Sequence, residues 1–445
     1  MKLESFQVQN FRSIIDSTPI RVADITVLIG PNQAGKSSIL QGLDKLSFDA
    51  KFDAFDLTQM KGISKKYFDG ELLPENIPIA TATFSLTDQE AQDLKGILPE
   101  LADAPNHVTV TKTFDNWFRF RVQEKPVAFP SRTVVEATKQ RLSALLQELE
   151  QSAQPHFARG PNHPYQNGFS GKLQEARVAL SHDLPTRESV IPPLQAFKTP
   201  DCDQILKSEI SARLVPMERL ASDTLPHSQQ DAALFGFFLE RLPRTAYFKT
   251  YDRLEDSAPV AELLKDNGQF PTFRNLLKLA DLRVERLSHI TDEKQRQAYV
   301  ESVSGHVTKL LREAWKGEDL QLQLRLSDGK IMAFTKDSAA VETLLPPSSG
   351  SEGFQWWLGF YISFGASTGT EYRNAILLLD DPGVFLHPTG HKDLLKLFEN
   401  YLIKDVSTIY TTQVPFLIPR DHLDRIRLVT KDEDGRSKAI VATEG

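Results

Sequence analysis

The stretch Ile25-Thr26-Val27-Leu28-Ile29-Gly30-Pro31-Asn32-Gln33-Ala34-Gly35-Lys36-Ser37-Ser38-Ile39-Leu40 decides the fold. β-Branched residues lead into GxxxxGKS and a helix-compatible run follows, the strand–loop–helix setting that a phosphate-binding loop requires. Gly30 and Gly35 permit the tight backbone that turns amide hydrogens inward, and the helix N-terminus from Lys36 onward adds its dipole. In this pattern Lys36 is expected to reach the β- and γ-phosphates of a nucleoside triphosphate, and the Ser37 hydroxyl to join a Mg²⁺ shell. Asn32 and Ser38 complete the expected cradle.

The rest of the composition narrows the class. A chain of 445 residues is long enough for two or three domains, each with its own core. Its 40% hydrophobic and 25% charged content are those of a globular protein. A net charge of −7 means that no overall basic field advertises nucleic acid, although a local basic face can sit on an acidic protein. The single cysteine, Cys202, excludes an intramolecular disulfide and a cysteine-cluster zinc site. The N-terminus carries no apolar signal core and no run reaches the length of a membrane span, so the expected location is cytoplasmic and off the membrane.

Outward from the loop, several short strands come first: an alternating run over 3–9, with Phe6 and Val8 on one face opposite Leu3, then a turn at Asn10-Phe11-Arg12-Ser13 and strand over 14–22. Strands ahead of the loop suggest a mixed sheet rather than a pure βαβ repeat. Ser38–Leu46 reads as the helix after the loop, 49–75 as polar loop, and Ile77–Leu86 as strand. Thr87-Asp88-Gln89-Glu90 opens a helix with a capping box. His107–Phe114 and Trp117–Val122 form a hairpin turning at Asp115-Asn116. Beyond Pro130 the pattern turns helical: Thr133–Leu149 with a stripe of Val134, Thr138, Leu142, Leu145 and Leu149, a loop over 155–171, and a second run over 172–182. The sheet-like pattern resumes at 245–249. Helices are expected over 271–280 and, unbroken, over 293–315, followed by a hairpin with Leu320, Leu322, Leu324 and Leu326 alternating and a turn at 327–330. The chain thus divides into an N-terminal ATPase lobe (1–130), a helical insertion (131–240) and a C-terminal lobe (241–445).

The C-terminal lobe supplies a second half of the nucleotide site. Ala375–Asp381 is an apolar parallel strand ending in two carboxylates, the form of a Walker B strand. Asp380 would hold Mg²⁺ and Asp381 would orient or activate the attacking water. Upstream, Ser348-Ser349-Gly350-Ser351-Glu352-Gly353 runs into an apolar helix, where a serine and glycine at a helix start offer free amides to an anion. Trp356, Trp357, Phe360 and Tyr361 read as core. A helix over 391–402 and a strand over 407–412 precede Gln413.

Taken in order, NFRS (10–13), GPNQAGKS (30–37), SEGFQWW (351–357), LLLDDPGVFLHP (377–388) and YTTQVPFLI (410–418) resemble the ATPase of the OLD (overcoming lysogenisation defect) family, which belongs with SMC and RecF proteins among the ABC-type ATPases. The resemblance covers 1–125 and 240–440 and is weak in the helical middle. It implies an α/β ABC-type P-loop head with an inserted helical dimerisation domain and ATP held between two copies of a homodimer or higher even oligomer. Ser351 and Gly353 would act in trans, Gln413 as sensor of the γ-phosphate, and Gln59 as the residue coupling metal to conformation, with a plain loop glutamine as the alternative. It further implies a nuclease partner, fused or separate, of Toprim or HNH type, action on DNA, and anti-phage defence. Arg132, Lys139 and Arg141 of the insertion are either DNA-facing or a solvated helix face.

Three departures qualify that implication. Asp381 stands where the family has Glu, and Gln413 where it has His, with Val414 for Ser. No Toprim acidic set is visible: Asp432-Glu433-Asp434 reads as a solvated loop, and His387 and His391, with Pro388 between them, read as a helix start rather than a metal face. The chain is expected not to cut DNA itself. The remaining alternatives are a clamp ATPase of SMC or RecF type, or an ATP-bound scaffold that recruits an effector. An amide at 413 cannot become cationic in the transition state, so hydrolysis is expected to be slow, with ATP acting mainly as dimer glue. A phosphate-release assay should return a turnover well below the ordinary range of about 1–100 s⁻¹, and a rate inside that range contradicts the reading.

Overall fold

The computed structural model describes residues 1–123, 125–157, 164–198, 204–248, 253–265, 268–314, 320–337, 343–367, 375–399, 406–432 and 437–441. In chain order its strands are β1 (Lys2–Phe11), β2 (Ile14–Asp16), β3 (Ile20–Arg21), β4 (Ile25–Ile29), β5 (Pro78–Ser85), β6 (His107–Thr113), β7 (Trp117–Val122), β8 (Lys125–Pro130), β9 (Arg244–Phe248), β10 (Ser257–Pro259), β11 (Leu320–Ser327), β12 (Lys330–Asp337), β13 (Ala375–Leu379), β14 (Val406–Thr412), β15 (Ile426–Lys431) and β16 (Ser437–Val441). They belong to two compact units. The first comprises Met1–Arg21, Gln41–Pro243 and Asp432–Ser437, and the second Val22–Leu40, Arg244–Lys431 and Lys438–Gly445.

The first unit carries an antiparallel sheet ordered β2-β1-β5-β6-β7-β8, with β3 also pairing to β1. A β-bulge between Leu3 and Ser5 corrects the expected alternation: the extra residue turns Leu3 to the buried face with Phe6 and Val8. The hairpin of β6 and β7 turns where expected, with Asn116 in the left-handed region at φ 64°. It is extended by β8, which the sequence reading passed over because Pro126 and Pro130 disguise it; an edge strand tolerates both. The capping box at Thr87 forms, its side chain accepting from Glu90 N. The polar stretch 49–75 is not wholly loop, since it contains a short helix at Ile63–Phe68.

Alternation along β6 sends Lys112 inward with Val108 and Val110. Its ammonium donates to the carbonyls of Lys45 (2.9 Å), Ser47 (2.7 Å) and Ala50 (2.5 Å) and lies over the rings of Phe52 and Phe118. Burial, with Lys45 nearby, pushes Lys112 down to about 7. A second buried ion, Asp56, accepts from Arg12 (3.0 Å) and Lys45 (3.0 Å) and from Asp53 N (3.2 Å). Phe11 bridges to Leu57, and Arg12 N donates to Asp56 O, so these bonds tie the Asn10–Ser13 turn to the segment leading to Gln59.

The described residues of this unit between 132 and 241 are mainly helical. In Arg132–Phe157 the buried stripe is Val135, Thr138, Leu142, Leu146 and Leu149, with Val134 and Leu145 at its rim. The next helix is Pro164–Ser181, so the expected loop over 155–171 is shorter at both ends: Pro155 lies in the last turn of one helix and Pro164 opens the other, where its missing N–H costs nothing. The part of that loop over 158–163 lies outside the described residues. Further helices at Arg187–Gln195, Gln204–Thr224 and Gln229–Arg241 follow, and residues from Leu142 to Leu225 share one apolar core.

The second unit is built on a sheet ordered β16-β15-β4-β14-β13-β9, in which β15, β4, β14, β13 and β9 pair in parallel. Parallel pairing is thus concentrated in this sheet, and antiparallel pairing runs through the sheet of the first unit. A three-stranded sheet, β10-β12-β11, carries the expected hairpin, with Asp328 and Gly329 at positive φ in its turn. The expected long helix over 293–315 is broken at Val303 into Glu293–Ser302 and Ser304–Ala314, and Trp315 lies outside the described residues. The break is repaid along the edge of β11: Leu324 N donates to Ser304 Oγ, and Leu322 N to Thr308 Oγ1. The apolar helix Glu352–Ser367 buries Trp356, Trp357 and Phe360 as core, and Tyr361 donates to Leu310 O.

Asp56 supplies the test of this packing. Burial raises its carboxyl, but Lys45, the Asp53 amide and Arg12 outweigh it and hold the group below 3.8. The stability it contributes is therefore present above 3.8 and is lost as pH falls through that value toward the lower folded one. Asp56→Asn should cost about 3 kcal/mol at neutral pH, leaving two cations without their partner, and should flatten the acid limb of stability measured by urea unfolding across pH.

Candidate nucleotide site

Parallel pairing brings the C-terminal ends of four strands to one edge of the second unit's sheet. Ile29 stands opposite Thr412, and Leu379 opposite both Tyr410 and Phe248. The residues that follow these ends, Gly30, Gln413 and Asp380, share the edge where ligands bind in open α/β sheets. β14 lies between the strand of the lysine loop and the strand of the acidic pair.

The loop itself requires its glycines. Gly30 has φ 153°, and a Cβ there would lie 2.1 Å from Val429 O, so no side chain fits. Gly35 (φ 99°) and Gln33 (φ 66°) turn the chain into the helix Lys36–Asp44, whose first amides have no helical partner. Lys36 is buried, and its ammonium donates to Gly30 O (2.8 Å) and Pro31 O (3.0 Å). Burial lowers its pKa from the ordinary lysine value, against the opposing pull of Asp381 and Asp380.

Asp380 is the hub. Its Oδ1 accepts from Ser37 Oγ (2.9 Å) and Thr411 Oγ1 (2.8 Å), its Oδ2 accepts from Tyr247 OH (3.0 Å), and its amide donates to Phe248 O (2.9 Å). The structure thus brings together Ser37 and Asp380, the two residues expected to serve Mg²⁺. The donor set fits that ion, since a hydroxyl and a carboxylate are hard oxygen ligands on rigid elements. Asp381 sits at φ 48°, a conformation an Asp tolerates better than most residues, and its amide donates to Thr411 Oγ1 (2.8 Å). Burial raises its carboxyl above 3.8; Asp380 adds to this and Lys36 and Gln413 oppose it. Gln413 Nε2 reaches Asp381 Oδ2 at 3.5 Å, a long contact. Tyr247 and Thr411 are the members that sequence reasoning missed. Each follows a legible pattern, a strand residue at a sheet end, but only the register shows which carboxylate it meets.

Ser351 and Gly353 begin the helix Glu352–Ser367. Ser351 Oγ accepts from Phe354 N (3.2 Å), a helix cap, and Gln355 Nε2 donates to Ser348 O (2.9 Å) and Gly350 O (2.7 Å). A Cβ on Gly353 would lie 2.6 Å from Phe385 O, so this glycine answers to packing within the unit. Gln59 belongs to the first unit, preceding a short 3₁₀ turn at Met60–Gly62. Lys139 pairs with Glu136 (3.4 Å) and Arg141 with Glu148 (3.8 Å), which is how a solvated helix face behaves. His387 stands just before the helix Pro388–Leu397, its Nδ1 3.2 Å from Thr389 Oγ1, and His391 is buried within that helix. Of Asp432-Glu433-Asp434, residues 433 and 434 lie outside the described residues. Among the described residues no helix is long and apolar enough to cross a membrane.

Comparison with known proteins agrees with the loop. Residues 1–167 match the family model described as an AAA ATPase domain. The uncharacterized protein MJECL43 of Methanocaldococcus jannaschii is 30% identical over 142 residues, 29% of this chain and 35% of that relative, so the chain spans about a third of the relative's length. Among solved structures, an SMC head bound to the C-winged helix domain of ScpA aligns over 99% of this chain and 98% of its own at 12% identity and a TM-score of 0.44. The SMC head domain from Thermotoga maritima aligns over 99% of both chains at 10% identity and a TM-score of 0.36.

Thr411→Val removes the hydroxyl shared by Asp380 and the Asp381 amide. It should cost about 1–3 kcal/mol of stability and abolish the extra thermal stabilisation that Mg²⁺ adds to ATP, while leaving stabilisation by ATP in EDTA near the parent's.

Proposed function

We propose that this chain is an ATP-binding, slowly hydrolysing ATPase of ABC/OLD type that self-associates around its nucleotide and acts with a DNA nuclease in anti-phage defence. The single observation that carries the nucleotide part is the bond between Ser37 Oγ and Asp380 Oδ1, which joins two motifs 343 residues apart. The defence role and the nuclease partner rest on the motif resemblance, whose order and spacing run through both ends of the chain.

In this reading the loop amides and Lys36 bind the phosphates, Ser37 and Asp380 hold Mg²⁺, and that ion when bound neutralises phosphate charge. Thr411 and Tyr247 hold Asp380 in place. Asp381 accepts a proton from the attacking water, and its raised pKa suits a base. Gln413 orients by its amide and contributes no cationic charge. The Ser351–Gly353 corner of a second copy closes the site. Val384, Phe385 and Phe416 are large apolar side chains about half exposed; Phe385 O lies against Gly353, and these side chains offer that copy an apolar surface.

Two outcomes test the reading. Lys36→Ala should lose both nucleotide retention and ATP-dependent self-association, measured by light scattering with and without ATP; a variant that keeps both refutes it. The activity of the parent should fall on acidification through a pKa above 3.8, because Asp381 must be ionised to take the proton, and Asp381→Asn should remove activity at every pH.

A further inference from the structure

Helix Pro388–Leu397 buries one imidazole that the proposed chemistry does not use. His391 is 4% exposed, and its Nε2 donates to Gly383 O at 2.8 Å. Its ring lies parallel to that of Phe416, with centroids 6.3 Å apart and planes within 6°. Since a carbonyl accepts, Nε2 carries a proton, and Nδ1 is buried with no hydrogen-bond partner. An unsatisfied buried nitrogen is a costly choice where leucine or phenylalanine would pack, so stability alone does not account for histidine here.

The two groups it touches say what the ring does. Gly383 is two residues beyond Asp381, and Phe416 three beyond Gln413. Gly383 O accepts from Leu386 N (2.9 Å) as well as from His391; Gly383 itself sits at φ 68°, which favours glycine, and a Cβ there would lie 3.0 Å from side-chain carbons of Leu386 and Leu394. The loop after Asp381 is therefore pinned at one carbonyl, and the loop after Gln413 leans on the same ring. We infer that His391 is a positioning residue, which clamps the loops following Asp381 and Gln413 to one rigid helix and so holds the base and the amide in register. This rests on the proposed ATPase reading and adds to it a residue that touches neither nucleotide nor metal. Misplacing a reacting group by about 1 Å costs up to about a hundredfold in rate, so a clamp at this distance is felt in the chemical step and not in binding.

His391→Phe keeps the ring against Phe416 and removes the donor; His391→Gln keeps a donor and removes the ring. In the full chain, ATP affinity by calorimetry should stay within about twofold of the parent for both variants. Single-turnover hydrolysis should fall about tenfold or more in His391→Phe and be largely restored in His391→Gln. Amide hydrogen exchange should quicken over 383–386 in His391→Phe and less so in His391→Gln. Parent-like hydrolysis in His391→Phe, or equal proportional losses of binding and hydrolysis, overturns the inference. Should the parent itself fail to hydrolyse ATP, the ATPase reading falls, while exchange over 383–386 still decides the clamp: unchanged exchange in His391→Phe refutes it.

Discussion

One carboxylate holds the site together. Asp380 accepts from Ser37, Thr411 and Tyr247, so it links the lysine loop, the central strand and the far edge strand of the parallel sheet. These bonds exist because β4, β14, β13 and β9 run parallel and in register, which delivers their ends to one edge. Charge-assisted hydrogen bonds of this kind are about twice as strong as neutral ones, and a carboxylate so held is oriented before any ion arrives. Asp381, on the next residue, takes its position from the same Thr411 hydroxyl. The proposed base and the proposed metal ligand are thus set by one threonine.

The first unit manages buried charge in a similar way. Lys112 satisfies its three donors on three carbonyls in the turn after the loop helix, and Asp56 takes Arg12 and Lys45. Neither ion has an apolar alternative that would leave those carbonyls and cations satisfied, so each makes its local geometry specific. Sequence alternation alone would call Lys112 a misplaced residue on a buried face; the carbonyls that receive it come from 45–50, far away in the chain.

Much of the chain was legible because its elements carry local signals. The glycine-rich loop, the apolar strand ending in Asp380 and Asp381, the capping box at Thr87 and the Asp328-Gly329 turn each have a physical cause within a few residues. The misreadings share one cause, the overriding of local pattern by partners distant in sequence. The bulge at Leu3 answers to β5, and the helix break at Val303 to the edge of β11, whose amides need Ser304 and Thr308. The disguised strand β8 answers to β7, against which its prolines sit at a sheet edge.

The residues alone determined that a triphosphate loop exists, where its acidic partner strand lies, and that 413 offers an amide without charge. Spacing of residue types suffices for such statements, because backbone preference and side-chain chemistry are local. Only the tertiary structure decided that Asp380 is shared among three hydroxyls, that Gly353 answers to Phe385, and that His391 joins two loops. Those facts depend on strand register and helix placement, which are set by the burial of whole faces and are written in no short stretch of the chain.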